Sequence, residues 1–231
     1  MAHSEKQSGG ALRGRRRKGQ GPDLRESILD AAEDLFSRHG FHGVTVRQVA
    51  AEAGVDTALI HYYFGAKREL FDHVFARRAE ILNGARLQAI AAYRAAHTGG
   101  DLDPEAIIRA FIDPMINLSL TGDEGWKNYF RLVALVNNTP AWGGETMSRF
   151  FDPVVRQLVD ALRDALPQAE ERDLYWCYQF LTGALMLALS ETGRIDHLSG
   201  DLCRSTDLEA VRARLYAWCA AGLREVVSRR L

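Results

Sequence analysis

The sequence predicts an all-α protein, with a small three-helix head joined to a larger helical body. Three observations predict it. Apolar residues recur at helical spacing in almost every stretch beyond residue 23. Glycines, prolines and Thr-x-x-Gln or Thr-x-x-Glu boxes fall where those stretches begin and end. No run of alternating polarity competes with them, and no internal repeat is visible. The chain has 231 residues, 47% of them apolar, which is enough for one large domain or two small ones. The expected division is an arm over 1–22, a helix-turn-helix head over 23–68 and a body over 69–231.

The elements follow in order. Ile28, Ala31, Ala32, Leu35 and Phe36 lie at i, i+3, i+4, i+7 and i+8, one face of a first helix, and His39-Gly40 stops it. Thr45-Val-Arg-Gln48 is a capping box that opens a second helix with Val46, Val49, Ala50 and Ala53 inward. Gly54 breaks that helix, Asp56 caps a third and Gly65 ends it. A long fourth helix starts near Lys67 and buries Leu70, Phe71, Val74, Ile81, Leu82 and Ala85. After Gly99-Gly100, Asp103-Pro104 is a cap followed by proline at the first helical position. Pro114 is expected to kink or split that helix. Further helices are expected over Trp126–Asn137, over Glu145–Leu166 with a break at Asp152-Pro153, and over Glu170–Thr192. Thr206-Asp-Leu-Glu209 is a second capping box and opens the last helix.

Charge and composition narrow the function classes. The formal net charge is −1, so nothing global advertises a nucleic-acid partner. The distribution is uneven, because Arg13, Arg15, Arg16, Arg17 and Lys18 form a glycine-flanked basic run without an acid among them. That run reads as a basic DNA-binding arm or, more plainly, as a solubilising tail. No apolar segment follows it, so a secretory signal is not expected. The longest apolar stretch, Phe180–Leu189, is far short of the ~20 residues of a membrane span. Three widely spaced cysteines without a CxxC fit reduced thiols and a cytoplasmic location. Walker, GxSxG, HExxH and paired ExxH patterns are absent, so neither catalysis nor a metal or other cofactor is expected.

The stretch "GVDTALIHYYFGAK" (Gly54–Lys67) is unusual for an ordinary core helix. With Ile60, Tyr63 and Phe64 inward, Thr57, Ala58, His61 and Tyr62 face out. A helix lying in a major groove needs small or hydrogen-bonding residues at its tip, and Thr57 and Ala58 are of that kind. His61, Tyr62, Tyr63 and Lys67 then form a rim of phosphate anchors. A surface helix with a mixed aromatic core would show the same periodicity.

The segment Ile28–Phe71, with its A-x-x-L-F, T-V-x-x-V-A, A-G-V and Y-x-F-x-x-K landmarks, resembles the DNA-binding domain of the TetR family of one-component transcriptional regulators. The resemblance implies Arg47 at a base edge or phosphate with Gln48 beside it, Thr57 and Ala58 in the groove, and His61, Tyr63 and Lys67 on the DNA backbone. Two residues depart from the family pattern. Asp56 stands where Ser or Thr is usual, and His61 where Tyr is usual. The resemblance further implies a homodimer on a palindromic double-stranded DNA operator, released when a small molecule binds the body, with repression as the usual mode. Activation, or a helical ligand-binding protein that does not bind DNA, are the other readings. Around Pro114 and "YFRLVALVNNTP" (Tyr129–Pro140) the body resembles the PsrA-type branch, whose members respond to fatty-acid-like signals.

For the body, Phe111, Met115, Trp126, Tyr129, Phe130, Trp176 and Phe180 are the candidate lining of an apolar effector pocket, unless they are plain core. Asn137, Tyr175 or Arg131 would supply polar contacts. Leu174, Leu181, Leu185, Val211, Leu215 and Trp218 form apolar stripes on the last two long helices and are the candidate interface of a four-helix dimer. Leu215 and Trp218 could instead face their own core.

Overall fold

The computed structural model describes residues 23–100 and 102–229; the basic arm with Arg15, Arg16, Arg17 and Lys18 lies outside them. Ten helices and no strand occur among the described residues. In the head, α1 (Leu24–His39) is capped by Asp23, whose carboxylate accepts from the Arg25 N–H at 3.0 Å. In α2 (Val46–Ala53) both halves of the Thr45–Gln48 box are formed. The turn out of α2 is a Schellman motif. Gly54, at φ +65°, sends its N–H to Ala51, and the Val55 N–H reaches the Ala50 carbonyl at 2.9 Å. Asp56 follows at once and caps α3 (Thr57–Phe64), leaving three residues between the two helices. That is the connection a helix-turn-helix requires.

The 30-residue α4 (Lys67–Ala96) is the spine of the molecule. The expected boundary at 68/69 falls in its first turn. The body continues with α5 (Pro104–Thr121), α6 (Glu124–Asn137), α7 (Gly143–Ala165), α8 (Glu171–Leu189), the short α9 (Arg194–Ser199) and α10 (Leu208–Arg229). Helix α4 packs on α1, α5 and α7, while α1 lies along α6, and α10 lies against α5 and α8.

Several expectations are corrected. Ile81 is exposed, because the buried stripe of α4 runs Val74, Arg78, Leu82, Arg86 and Ile90 and takes two arginines inside. Neither proline splits its helix: α5 continues through Pro114 and α7 through Pro153. Pro153 sits on the exposed side of its helix, where water can serve the carbonyl it leaves without a partner. Helix α8 stops at Leu189, and α9 had no counterpart in the sequence pattern, since six residues do not establish a period. At the start of α10 the cap is Asp207, which accepts from the Ala210 N–H at 3.0 Å, rather than Thr206 one residue earlier.

Two sets of contacts fasten the head to the body. Glu33 of α1, 2% exposed, accepts from Arg78 at 2.7 Å and Arg77 at 3.0 Å on α4. Arg78 also meets Asp123 at 3.1 Å, just ahead of α6, and lies 4.9 Å from the Trp126 ring centroid. A Cβ at Gly125 would meet the far ends of the Arg78 and Glu33 side chains, so a larger residue there would push the pair aside. On the other side, Arg68 donates to Thr146 at 2.9 Å, and Trp142 stands edge-on to Phe41 and Phe71.

Candidate nucleic-acid interface and body cavity

The Schellman turn and the Asp56 cap together fix how α3 leaves α2. Ile60 and Phe64 anchor α3 in the core. Ala58, His61 and Tyr62 face outward, Tyr62 being 81% exposed, and Arg47 is exposed on the first turn of α2. These side chains form one open surface at the tip of the head.

Several predicted contacts are already occupied within the protein. The Asp56 carboxylate accepts from the Ala58 N–H at 2.8 Å and from the Thr57 hydroxyl at 3.4 Å. Thr57 is half-buried, and with its hydroxyl proton on Asp56 its oxygen is left only as an acceptor. Gln48 spends its side-chain oxygen on the Thr45 N–H and hydroxyl, both at 2.8 Å, and keeps only its amide donors. The His61 ring nitrogen Nδ1 pairs with the Gly65 carbonyl at 2.8 Å, which orients Nε2 outward. Tyr63 does not point inward as the periodicity suggested; it lies at the rim, exposed, beside Tyr62 and Phe64.

Lys67 is engaged more deeply than an exposed rim residue. Its ammonium donates to the carbonyls of Phe41 at 2.8 Å and Val44 at 2.9 Å and lies 4.3 Å from the Phe41 ring centroid. Two of its three donors thus hold the α1–α2 connection from behind. Lys67→Met should therefore lower stability by ~2 kcal/mol, from two charge-assisted hydrogen bonds and a cation–π contact. It should change the salt slope of DNA binding by less than about one unit. Chemical denaturation and salt-dependent anisotropy measure the two effects separately.

In the body, a small cavity of ≈ 20 Å³ lies between α4, α5, α6, α7 and α8. Of the predicted lining, Phe111 and Met115 border it, together with Leu82, Arg86, Met147 and Tyr178. Trp126, Tyr129 and Phe130 are instead a core cluster of edge-on and tilted rings on α6, and Asn137 is half-buried at the end of that helix. Trp176 and Phe180 are on the surface, their rings stacked 6.0 Å apart, and line a separate open pocket with Arg172, Asp173 and Val226 rather than the inner cavity. The phase of α8 explains this: Leu174, Leu181 and Leu185 turn inward, so positions 176, 180 and 187 must turn out.

The same phase corrects the predicted interface. Leu174, Leu181, Leu185 and Leu215 are buried in their own subunit, and Val211 is half-buried. Only Trp218, 61% exposed, is available to a partner. The residue that sequence reading missed altogether is Arg86, only 4% exposed on the cavity wall, since an arginine in the middle of a long helix reads as a solvent-facing position. No group of His, Cys, Asp and Glu able to hold a metal occurs among the described residues, and no described helix is long and apolar enough to cross a membrane.

Comparisons with known proteins bear on both regions. Residues 28–74 match the family model of bacterial regulatory proteins of the tetR family, and residues 109–222 match that of the tetracyclin repressor-like C-terminal domain. The chain is 38% identical over 74 residues to the HTH-type transcriptional regulator BetI of Agrobacterium fabrum, covering 32% of this chain and 34% of that protein. It is 38% identical over 61 residues to the HTH-type transcriptional repressor NicS of Pseudomonas putida, covering 25% and 29%. The match thus spans about a third of the length of these curated relatives. Among solved structures, a TetR-like transcriptional regulator from Rhodococcus sp. RHA1 shares the fold over 90% of this chain and 99% of its own, with a TM-score of 0.61 and 19% identity. The fatty acid degradation regulator FadR from Bacillus halodurans does so over the same shares, with a TM-score of 0.58 and 17% identity. With one family model on the head and another of the same family on the body, this chain belongs to the TetR family of DNA-binding transcriptional regulators.

Proposed function

We propose that the protein is a ligand-controlled repressor, a cytoplasmic homodimer that holds a palindromic operator until a small lipophilic molecule enters the body. One observation carries the reading. A single helix, α4, connects the head and the cavity, because Arg78 grips Glu33 of α1 while Leu82 and Arg86, one and two turns further on, border the cavity. A ligand that separates α4 from α5 or α7 must tilt this stripe, and the head moves with it. The effector need favour the tilted state by only ~5 kcal/mol for a nearly complete switch.

On DNA, α3 enters the major groove, with Ala58 letting the backbone approach the base edges and the amide of Gln48 and the side chain of Arg47 alongside. Tyr62, Tyr63 and His61 Nε2 take phosphates. Asp56 and Thr57 hold the shape of the tip, and Lys67 supports it from behind. The second head comes from a partner subunit across the outward face of α8 and α10. There Trp176, Phe180, Gly183 and Leu187 make one stripe, and Trp218 with Gly222 makes the next. Neither glycine has any neighbour within 4 Å of where a Cβ would be, so a second pair of helices can approach closely.

The test is binding to DNA from the chain's own upstream region. Ala58→Glu should weaken operator binding by about a hundredfold or more, since it places a carboxylate among base edges and phosphates. Tyr62→Phe should weaken binding to every sequence about equally, by a factor of a few, because phosphates carry no sequence information. If Ala58→Glu binds like wild type, α3 is not the reading helix. A wild-type protein that ignores DNA altogether would favour the reading as a helical ligand-binding protein, and loss of transcription on deletion would favour an activator.

A further inference from the structure

We propose that the effector carries a carboxylate or a similar single anionic head on an apolar tail, and that Arg86 is the residue that receives the head. The inference rests on the cavity being the effector site. Arg86 sits inside the helical body, yet no carboxylate pairs with it among the described residues. The other two buried arginine contacts of α4 differ sharply, since Arg77 and Arg78 both meet Glu33. Arg86 makes do with neutral neighbours. Its Nε donates to the Phe111 carbonyl at 2.9 Å, one Nη points to the Met115 sulfur, a poor acceptor, and the guanidinium lies 3.9 Å from the Phe111 ring centroid.

A buried cation without a counter-ion is costly, and proteins ordinarily pair it. Burial depresses the Arg86 pKa to about 10, with the Tyr178 and Tyr129 dipoles opposing that shift, so the group remains charged at neutral pH. The guanidinium fork thus offers donors to a space whose lining residues include no carboxylate. A carboxylate satisfies it, since its two oxygens match the fork.

The remaining wall fits a tail. Leu82, Phe111, Val133, Phe151, Val155 and Leu185 are apolar, and Tyr178 and Thr182 are the uncharged polar residues beside them. Met115, Met147 and Met186 also border the cavity, and apart from Met1 they are the only methionines in the chain. Methionine is the side chain that repacks most readily around a guest, so a cavity of ≈ 20 Å³ can open without a fixed void in the unliganded protein.

The experiment uses the full chain and measures binding by calorimetry and operator release by anisotropy. The probes are benzoate, octanoate, decanoate and dodecanoate, each set against its matching alcohol, with decyl phosphate and decanoyl-coenzyme A as alternative anionic sources. Wild type should bind its best acid at least about tenfold more tightly than the corresponding alcohol, the discrimination expected of one charge-assisted pair in a dry site. Arg86→Met should remove that preference while leaving operator affinity near wild type, and Arg86→Lys should retain part of it. Equal binding of acid and alcohol by wild type, or an undiminished acid preference in Arg86→Met, overturns the proposal and leaves the effector site standing. Preference for decyl phosphate or the thioester over decanoate keeps Arg86 as an anion receptor and replaces the carboxylate as its head group. If no probe binds, the cavity is not an effector site and both readings fail together. The wild-type acid-to-alcohol ratio needs no variant, so poor folding of Arg86→Met would not shield the idea.

Discussion

Glu33→Leu should destabilise the protein by about 3 kcal/mol and should do so by stranding arginines rather than by removing packing. The Glu33 carboxylate is buried and receives Arg78 at 2.7 Å and Arg77 at 3.0 Å. Removing one partner of a buried ion pair typically costs ~3–5 kcal/mol, because the other charge remains in a poorly solvated site. The lower end applies here. Arg77 keeps Glu26 and Asp30, and Arg78 keeps Asp123, all of them in contact with water. The double variant Glu33→Leu/Arg78→Met should recover most of the loss, since a buried pair exchanged for apolar groups of similar size is close to neutral. Its DNA release should nonetheless become insensitive to effector, because the grip of α4 on α1 is gone. Urea unfolding of the two single variants and the double variant gives the coupling energy. A double variant as unstable as the sum of the singles would show that the pair does not act as a unit.

The head was more legible in the sequence than the body, for a physical reason. Head helices are short and are set by local chemistry, and each device names its residues: Thr45 with Gln48, Gly54 at positive φ, and Asp56 at the next N-terminus. Such signals act over three or four residues and survive without knowledge of the tertiary structure. Body positions depend on helical phase over 20 to 30 residues, and there a single misplaced assumption spreads. A purely apolar stripe on α4 takes in Ile81, whereas the observed one turns Arg78 and Arg86 inward and places Arg86 on the cavity wall. On α8, large residues stand on both faces, so hydrophobicity alone could not say that Leu181 packs within the subunit while Phe180 faces out. Polar residues that bind backbone atoms were similarly opaque. Lys67 looks like a phosphate anchor until the carbonyls of Phe41 and Val44 are seen to lie within reach of its ammonium.

Trp218→Glu should split the dimer and, through it, reduce operator affinity by about a thousandfold. Trp218 is 61% exposed on α10, on the same outward surface as Trp176, Phe180 and Leu187 of α8, which α10 packs against. A surface with that many large apolar side chains marks a contact site for another molecule, here taken as the proposed second subunit. In a two-fold interface each substitution counts twice. Losing a buried tryptophan costs ~2 kcal/mol or more, and a carboxylate left in the contact adds to that, so two copies remove at least ~4 kcal/mol of association free energy. A dimer presents its second head at an effective concentration near millimolar, and a monomer forfeits that linkage at a palindrome. Sedimentation should show wild type at twice the 25.8 kDa chain mass and the variant at the single mass, with helical content and melting of the subunit core preserved. Leu185→Glu provides the contrast, since that residue is buried within its own subunit and its substitution should unfold the chain rather than dissociate it. Were Trp218→Glu to remain dimeric with full operator affinity, the outward face of α8 and α10 would not be the interface, and the second head would have to be held by another surface.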